Sequence, residues 1–214
     1  LEYFWKVRGF FQDRELWLRL ALERSASPPR ARMKVLLGLA RIAMDNRDHV
    51  RADALIDEWR SIAEREGDEA WFLAALNSAA NNAFAKGDLE RARAEYLALR
   101  QKAEEAGDHG MVAITTHNLG GVAARAGQYQ TALDYSEAAV VLFREVGDDG
   151  GVGVSLEACG WNALALSHPA KAQQAFRDSL VIFDRLGSLR RTAMSALGIG
   201  AALVAEHKEE RGVR

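Results

Sequence analysis

From about residue 29 onward the chain alternates between apolar stretches with helical spacing and short polar breaks. Two stretches and two breaks make one unit. Over residues 69–108 the pattern predicts a first helix at about Glu69–Lys86, a turn at Gly87 and Asp88, and a second helix at about Leu89–Ala106. Gly67, Gly107, Gly147 and Gly187 stand 40 residues apart, each where a second helix must stop. Glycine takes up the left-handed conformation of a helix C-terminus without steric cost. Asp68, Asp108 and Asp148 follow three of these glycines and Ser188 the fourth; a side-chain oxygen at that position caps the next helix. The mid-unit turns are Arg47-Asp48, Gly87-Asp88, Gly127-Gln128 and Ser167-His168-Pro169. Pro169 falls in the first turn of its helix, where a missing N–H does no harm.

Two further columns share the period. Ala52, Ala92, Ala132 and Ala172 form one, and Ala40, Ala80, Gly120, Gly160 and Gly200 form another that never holds a large residue. Glycine inside a helix costs about 0.5–1 kcal/mol relative to alanine, so its return at one column calls for a packing reason. The spacing predicts that Gly120 on a first helix faces Ala132 on the second, which lets the axes approach. Larger residues one turn beyond the alanine column, such as Tyr96 and Phe176, then fill the space between hairpins. No hairpin of this kind buries its apolar face alone; neighbours bury one another by stacking. The predicted fold is therefore all-α, a right-handed α-α superhelix of helical hairpins with a 40-residue period. The boundaries are 1–28 for an N-terminal capping hairpin, 29–68, 69–108, 109–148 and 149–188 for full repeats, 189–206 for a half repeat, and 207–214 for the start of a next helix.

Composition narrows the function classes. Hydrophobic residues at 49% and charged residues at 27% are ordinary for a folded chain. Abundant alanine and only three prolines favour helix. A formal net charge of −2 gives no basic face for direct nucleic acid contact. The single cysteine, Cys159, cannot form an internal disulfide, which fits a reducing, cytoplasmic compartment. No apolar run approaches the roughly 18–20 residues that span a bilayer, so no membrane partner is expected.

A small residue, alanine twelve positions later and an aromatic four further on (Ala80, Ala92, Tyr96; Gly160, Ala172, Phe176) resembles the tetratricopeptide repeat. Tyr129 and Leu89 sit where that family often places a tyrosine. The usual unit of that family is about 34 residues, so the helices here are predicted to be longer. The column departs from the pattern at Ile56 and Ser136, and the first turn has Arg47 in place of glycine. A narrower resemblance lies in Leu1-Glu2-Tyr3-Phe4-Trp5-Lys6-Val7-Arg8-Gly9, in Trp17-Leu18-Arg19-Leu20-Ala21-Leu22, in His117-Asn118-Leu119-Gly120 and in Arg144-Glu145-Val146-Gly147-Asp148. These phrases are similar to the C-terminal repeat region of bacterial signal-transduction ATPases and of LuxR-type and SARP-like transcriptional regulators. The resemblance implies a cytoplasmic regulator whose repeats sense a partner or ligand. The sequence holds no GxxxxGK[ST] loop and no evident DNA-reading helix pair.

In stacked hairpins the first helices line the concave face. Counting from the small column, that face is predicted to carry Leu37, Arg41, Asn77, Ser78, Asn81, Phe84, His117, Asn118, Arg125, Glu157 and Trp161, with Lys34 extending it. The candidate binding set is Lys34, Arg41, Asn77, Asn81, His117, Asn118, Arg125, Glu157 and Trp161. Asparagine is a poor interior helix former because its amide competes for backbone hydrogen bonds. Two readings of Asn77, Asn81 and Asn118 stand: an amide ladder that bonds an extended peptide, with Arg41 and Arg125 for its carboxylates, or helix bracing by Asn118 with the others solvated. Trp161 is either an interface anchor or a packing residue between the third and fourth hairpins. Trp59 and Trp71 are expected in the core, and Trp5 and Trp17 at the N-terminal cap.

Catalysis needs a nucleophile, base or metal set within mutual reach. The five histidines show no paired-ligand spacing, His168 and His207 fall at predicted turns, and Cys159 reads as a buried thiol. Glu157 with His117, one repeat apart, is the one acid–base pairing the period suggests. The expectation is a non-catalytic scaffold, without cofactor or metal, that binds a protein or peptide; a small-molecule sensor with, for instance, a sugar in the same groove is the rival, and a structural spacer a third. The chain opens at Leu1 within an apolar-aromatic helical pattern and closes at Glu209-Glu210-Arg211-Gly212 inside a predicted repeat, which reads as a segment of a longer polypeptide. Leu197, Ile199 and Leu203 are then expected to expose an apolar face that favours end-to-end dimers.

Overall fold

The computed structural model describes residues 11–23 and 28–212, and the side chains of 15–23 and 28–207. The expectations placed on Leu1, Phe4 and Trp5 lie outside the described residues. Among the described residues there are ten helices and no strand: α1 (Phe11–Glu23), α2 (Pro29–Asp45), α3 (His49–Arg65), α4 (Glu69–Lys86), α5 (Leu89–Glu105), α6 (His109–Arg125), α7 (Tyr129–Glu145), α8 (Asp149–Ala165), α9 (Pro169–Arg185) and α10 (Leu189–Gly212). The even-numbered helices are the first helices of the repeats, and α3, α5, α7 and α9 the second.

One joint recurs between repeats. Gly67, Gly107, Gly147 and Gly187 have φ of +63° to +73°. At the first of them Gly67 N donates to Glu64 O (3.2 Å) and Asp68 N to Ala63 O (2.9 Å), which satisfies the carbonyls a helix end leaves over. The same aspartate then starts the next helix: Asp68 Oδ1 accepts from Trp71 N, Asp108 Oδ1 from Met111 N and Asp148 Oδ1 from Gly151 N. One residue thus closes one helix and opens another, which keeps the connection short. In the mid-repeat turns Gly87 and Gly127 are also left-handed, and Arg47 (φ +59°) and Ser167 (φ +58°) adopt that conformation with a side chain attached.

The chain divides into two compact units, residues 1–95 and 96–214. In the first, Met33, Leu36, Trp59, Ile62 and Ala75 form the core. Trp59 is buried, and Trp71 packs edge-to-face on it at 5.6 Å. Leu18 and Leu22 of α1 turn inward: Leu18 Cδ1 lies 3.0 Å from where a Cβ on Gly38 would stand, and Leu22 packs on the core. Trp17, on the other side of α1, is exposed. Asn82 is fully buried and knits α4 to α3; its amide donates to His49 O (3.0 Å) and Asp53 Oδ1 (2.8 Å), and its carbonyl meets His49 Nδ1 (2.8 Å). Burial works to raise the Asp53 carboxyl, but hydrogen bonds from Asn82 and Lys86 outweigh it and leave the group below its ordinary value.

In the second unit one cluster joins Leu133, Val140, Phe143, Val152, Leu156 and Cys159, and another joins Ala163, Ala172, Phe176 and Ala202. The aromatic column, Ile56, Tyr96, Ser136 and Phe176, is buried at all four positions. Burying a phenylalanine to this extent contributes about 1.5–3 kcal/mol. A Cβ on Gly120 would stand 3.3 Å from Ala132 O, so α6 and α7 meet where the columns place them. Ala40, Ala80, Gly120 and Gly160 are buried, whereas Gly200 is exposed, with nothing within 4 Å of its missing Cβ. Among the described residues no second helix follows α10. The helix itself runs on through 207–212, where the period predicts a break, because 201–211 holds neither glycine nor proline to stop it. Leu197 and Leu203 are exposed on it, while Ile199 packs against the Phe176 cluster.

Candidate functional site

In the first unit, Lys34 and Arg41 lie at exposed positions of α2, and Asn77 and Asn81 are half-buried one turn apart on α4. Two neighbouring positions are taken up internally. Leu37 packs against the core and Ser78 Oγ donates to Ala74 O. In the second unit, His117 and Asn118 are half-buried and Arg125 exposed on α6, while α8 carries Glu157 and Trp161. Trp161 is 44% exposed, held by an edge-to-face contact with Phe176 at 5.0 Å. Its ring is both packed and presented.

Glu157 and His117 do not form the acid–base pair suggested by the period. Glu157 is buried; its Oε2 accepts from Arg191 at 2.6 Å and its Oε1 from Ser195 Oγ at 3.0 Å. Ser195 meets Ser179, whose hydroxyl also reaches Gly153 O. A buried carboxylate needs such partners, since an unpaired one is costly. The residue predicted as a ligand contact therefore ties α8 to α10 instead. His117 Nδ1 lies 3.1 Å from Ser155 Oγ, and its ring meets Phe143 edge-to-face. Burial, followed by the positive charge of Arg191, holds the His117 imidazole below its usual range, so it is neutral near pH 7.

Around His117 lies a cavity of about 540 Å³, open broadly on one side. Ile114, Phe143, Val154 and Phe183 make its apolar walls, and Asp148, Arg190 and Arg191 its charged ones. Two glycines shape it. A Cβ on Gly151 would overlap the Phe143 ring and one on Gly153 would stand 2.7 Å from the Phe183 ring, so both aromatics nest against bare backbone of α8. Of the candidate residues only His117 lines this space; Ile114, Phe143, Phe183 and Arg191 escaped the sequence reading. Ile114 shares the column of Lys34, six positions before the small column, which the reading extended in the first repeat alone, and Arg191 stands nine positions before it, beyond that reading.

A second cavity of about 490 Å³ lies between α7 and α9, with Leu156 and Cys159 of α8 in its lining. Burial pushes the Cys159 thiol up to about 12, which leaves it protonated and a poor nucleophile. No three His, Cys, Asp or Glu side chains gather as a metal set among the described residues. Nor is any helix among them long and apolar enough to cross a membrane.

The tetratricopeptide repeat model matches residues 71–140 and 111–185, more than half of the chain. The chain belongs to the tetratricopeptide repeat family. No curated protein matches it in sequence. Among solved structures it is similar to BtubC (BKLC) from P. vanneervenii, with 17% identity, 92% of this chain and 81% of that one covered, and a TM-score of 0.76. It is similar also to a signal-transduction ATPase with a tetratricopeptide repeat sensor from Pyrococcus horikoshii, with 15% identity over 92% of this chain and a TM-score of 0.76, but it spans only 30% of that protein. Bacillus thuringiensis PlcR, solved with the peptide PapR7 and DNA, gives 14% identity, 93% of this chain, 70% of that one and a TM-score of 0.71. At these identities the likeness is one of fold. As tetratricopeptide repeats the hairpins here are long, 17 or 18 residues in each helix from α2 to α9, as the 40-residue period requires.

Proposed function

We propose that this tetratricopeptide repeat chain is a non-catalytic scaffold that binds a peptide or a partner protein, as the sensing segment of a larger cytoplasmic transcriptional regulator. The observation that carries the proposal is the open cavity beside His117. It lies among three first helices, is walled by phenylalanines from the ends of two second helices and is edged by arginines, residue types enriched at protein interfaces. The lining shows no acid–base pair: His117 is hydrogen-bonded to Ser155, and Glu157 is consumed by Arg191 and Ser195. The likeness to PlcR, crystallised with a peptide, and to an ATPase with a repeat sensor supports the regulatory context, as do the phrases at His117–Gly120 and Arg144–Asp148. A volume of this size also suits a metabolite such as a sugar, but a metabolite site encloses most of its ligand, whereas this one is open.

Panning a displayed library of short random peptides against the chain tests the proposal. Enriched peptides should lose binding to Ile114→Glu, with circular dichroism unchanged, and keep it to a variant carrying Trp161→Ala and Asn118→Ala, whose side chains lie outside the cavity. Enrichment of no peptide, alongside a thermal shift with a panel of sugars, would replace this function with the metabolite one.

A further inference from the structure

We propose that the cavity beside His117 seats a peptide bearing an aromatic and an acidic side chain two positions apart, the ring entering against Ile114 and Phe183 and the carboxylate meeting Arg191. The proposal rests on the peptide-binding function above and specifies its chemistry. Arg191 is the anchor. Its Nη1 donates to Glu157 at 2.6 Å, and its guanidinium lies over the Phe183 ring, 5.7 Å from the centroid. Guanidinium carries five N–H donors in a planar fork. Among the described residues Glu157 is the one side chain it donates to, so the remaining donors are available at the cavity wall while ion pair and ring hold the group in place. A cation fixed before the ligand arrives loses little entropy on binding.

The charge balance agrees. Arg190 and Arg191 both line the cavity, and Asp148 is the single carboxylate there, its Oδ1 already accepting from Gly151 N at 2.9 Å. Geometry chooses the ligand. The broad mouth suits a chain that lies across it and lowers side chains into it. In an extended peptide, side chains on one face are two residues apart, about 7 Å, and Arg191 and Phe183 stand side by side, 5.7 Å from guanidinium to ring centroid. One extended segment therefore satisfies both walls.

Calorimetry with acetylated, amidated peptides tests this, because blocked ends remove any terminal carboxylate. A Phe-Ala-Asp core should bind about tenfold or more tightly than Phe-Ala-Asn or Ala-Ala-Asp cores, the usual worth of a charge-assisted hydrogen bond or a buried ring, and the preference for Asp should shrink with added salt. Replacing Arg191→Gln together with Glu157→Gln removes both charges and leaves neither buried unpaired; this pair should abolish the preference for Asp over Asn. Ile114→Glu, on an exposed position, should weaken the Phe-Ala-Asp core without touching the ion pair. Equal binding of Asp and Asn cores, a preference that survives the double change, or binding only by a peptide with a free C-terminal Phe would each overturn the proposal. If library peptides bind while these cores do not, the scaffold function stands and this chemistry falls; if no peptide binds, this chemistry falls, and a thermal shift with sugars then removes the scaffold function as well.

Discussion

Glycines in this chain do two opposite jobs, and substitution separates them. Gly160 and Gly198 face the buried Phe176 ring from α8 and α10, with missing Cβ positions 2.6 and 2.5 Å from it. Gly160→Ala should therefore cost about 1–3 kcal/mol through overpacking. Gly121, one residue from the small column, has nothing within 4 Å. There Gly121→Ala should raise stability by about 0.5–1 kcal/mol by removing backbone freedom from the unfolded chain. Urea titration of the two variants gives opposite shifts if the packing is as described. Ser167 carries a side chain at φ +58° in a turn where Gly87 and Gly127 stand in other repeats. Ser167→Gly relieves that strain at some cost in unfolded-state entropy, for a net gain below about 1 kcal/mol. The turn glycines were legible in the sequence because they repeat. Gly151 and Gly153 were not, because each fits an aromatic ring of another helix, and nothing along the chain pairs residue 151 with 143 or 153 with 183.

At the joints after Gly67, Gly107 and Gly147 the next helix begins by one device, an aspartate cap, and its strength can be measured on one of them. Asp108 Oδ1 accepts from Met111 N at 2.9 Å; Asp108→Ala should cost about 1 kcal/mol, while Asp108→Asn should cost much less. The link between α8 and α10 is of a different kind. Removing Arg191 alone leaves Glu157 buried without its cation and should cost about 3–5 kcal/mol, whereas removing both charges should cost far less. A double-mutant cycle followed by thermal melting measures the difference. The sequence placed Glu157 on a first helix, three before the small column, and expected it to face a ligand. It gave no sign that Arg191 would reach it. The column of Arg191 holds Met111 and Gly151 in the two preceding repeats, and a role that does not recur is invisible to a reading built on recurrence. The packing of hairpins was legible for the opposite reason, since shape, unlike chemistry, repeats every 40 residues.

The two compact units can be followed separately. Trp59 and Trp71 sit in the core of the first, and Cys159 in that of the second. The Cys159 thiol moves from an ordinary 9.0 to about 12. At pH 8 its thiolate fraction is then far below that of the unfolded chain, so iodoacetamide should label it much more slowly before denaturant than after. Comparable rates would show the thiol to be accessible. The sign for stability follows: above pH 9 the unfolded chain gives up this proton while the folded one keeps it, so stability declines between pH 9 and about 12. The rings seated on glycine also bear on how such a protein changes over time. Phe143 of one repeat needs Gly151 of the next, and Phe176 needs Gly198 of the next. A duplication or shuffling that put another repeat's first helix in the place of α8 would set a side chain where the Phe143 ring must go, since the column of Gly151 holds Ala31, Trp71, Met111 and Arg191. The seam between the third and fourth repeats is therefore tied to its own two helices, and a change at Phe143 or Gly151 calls for a matching change at the other.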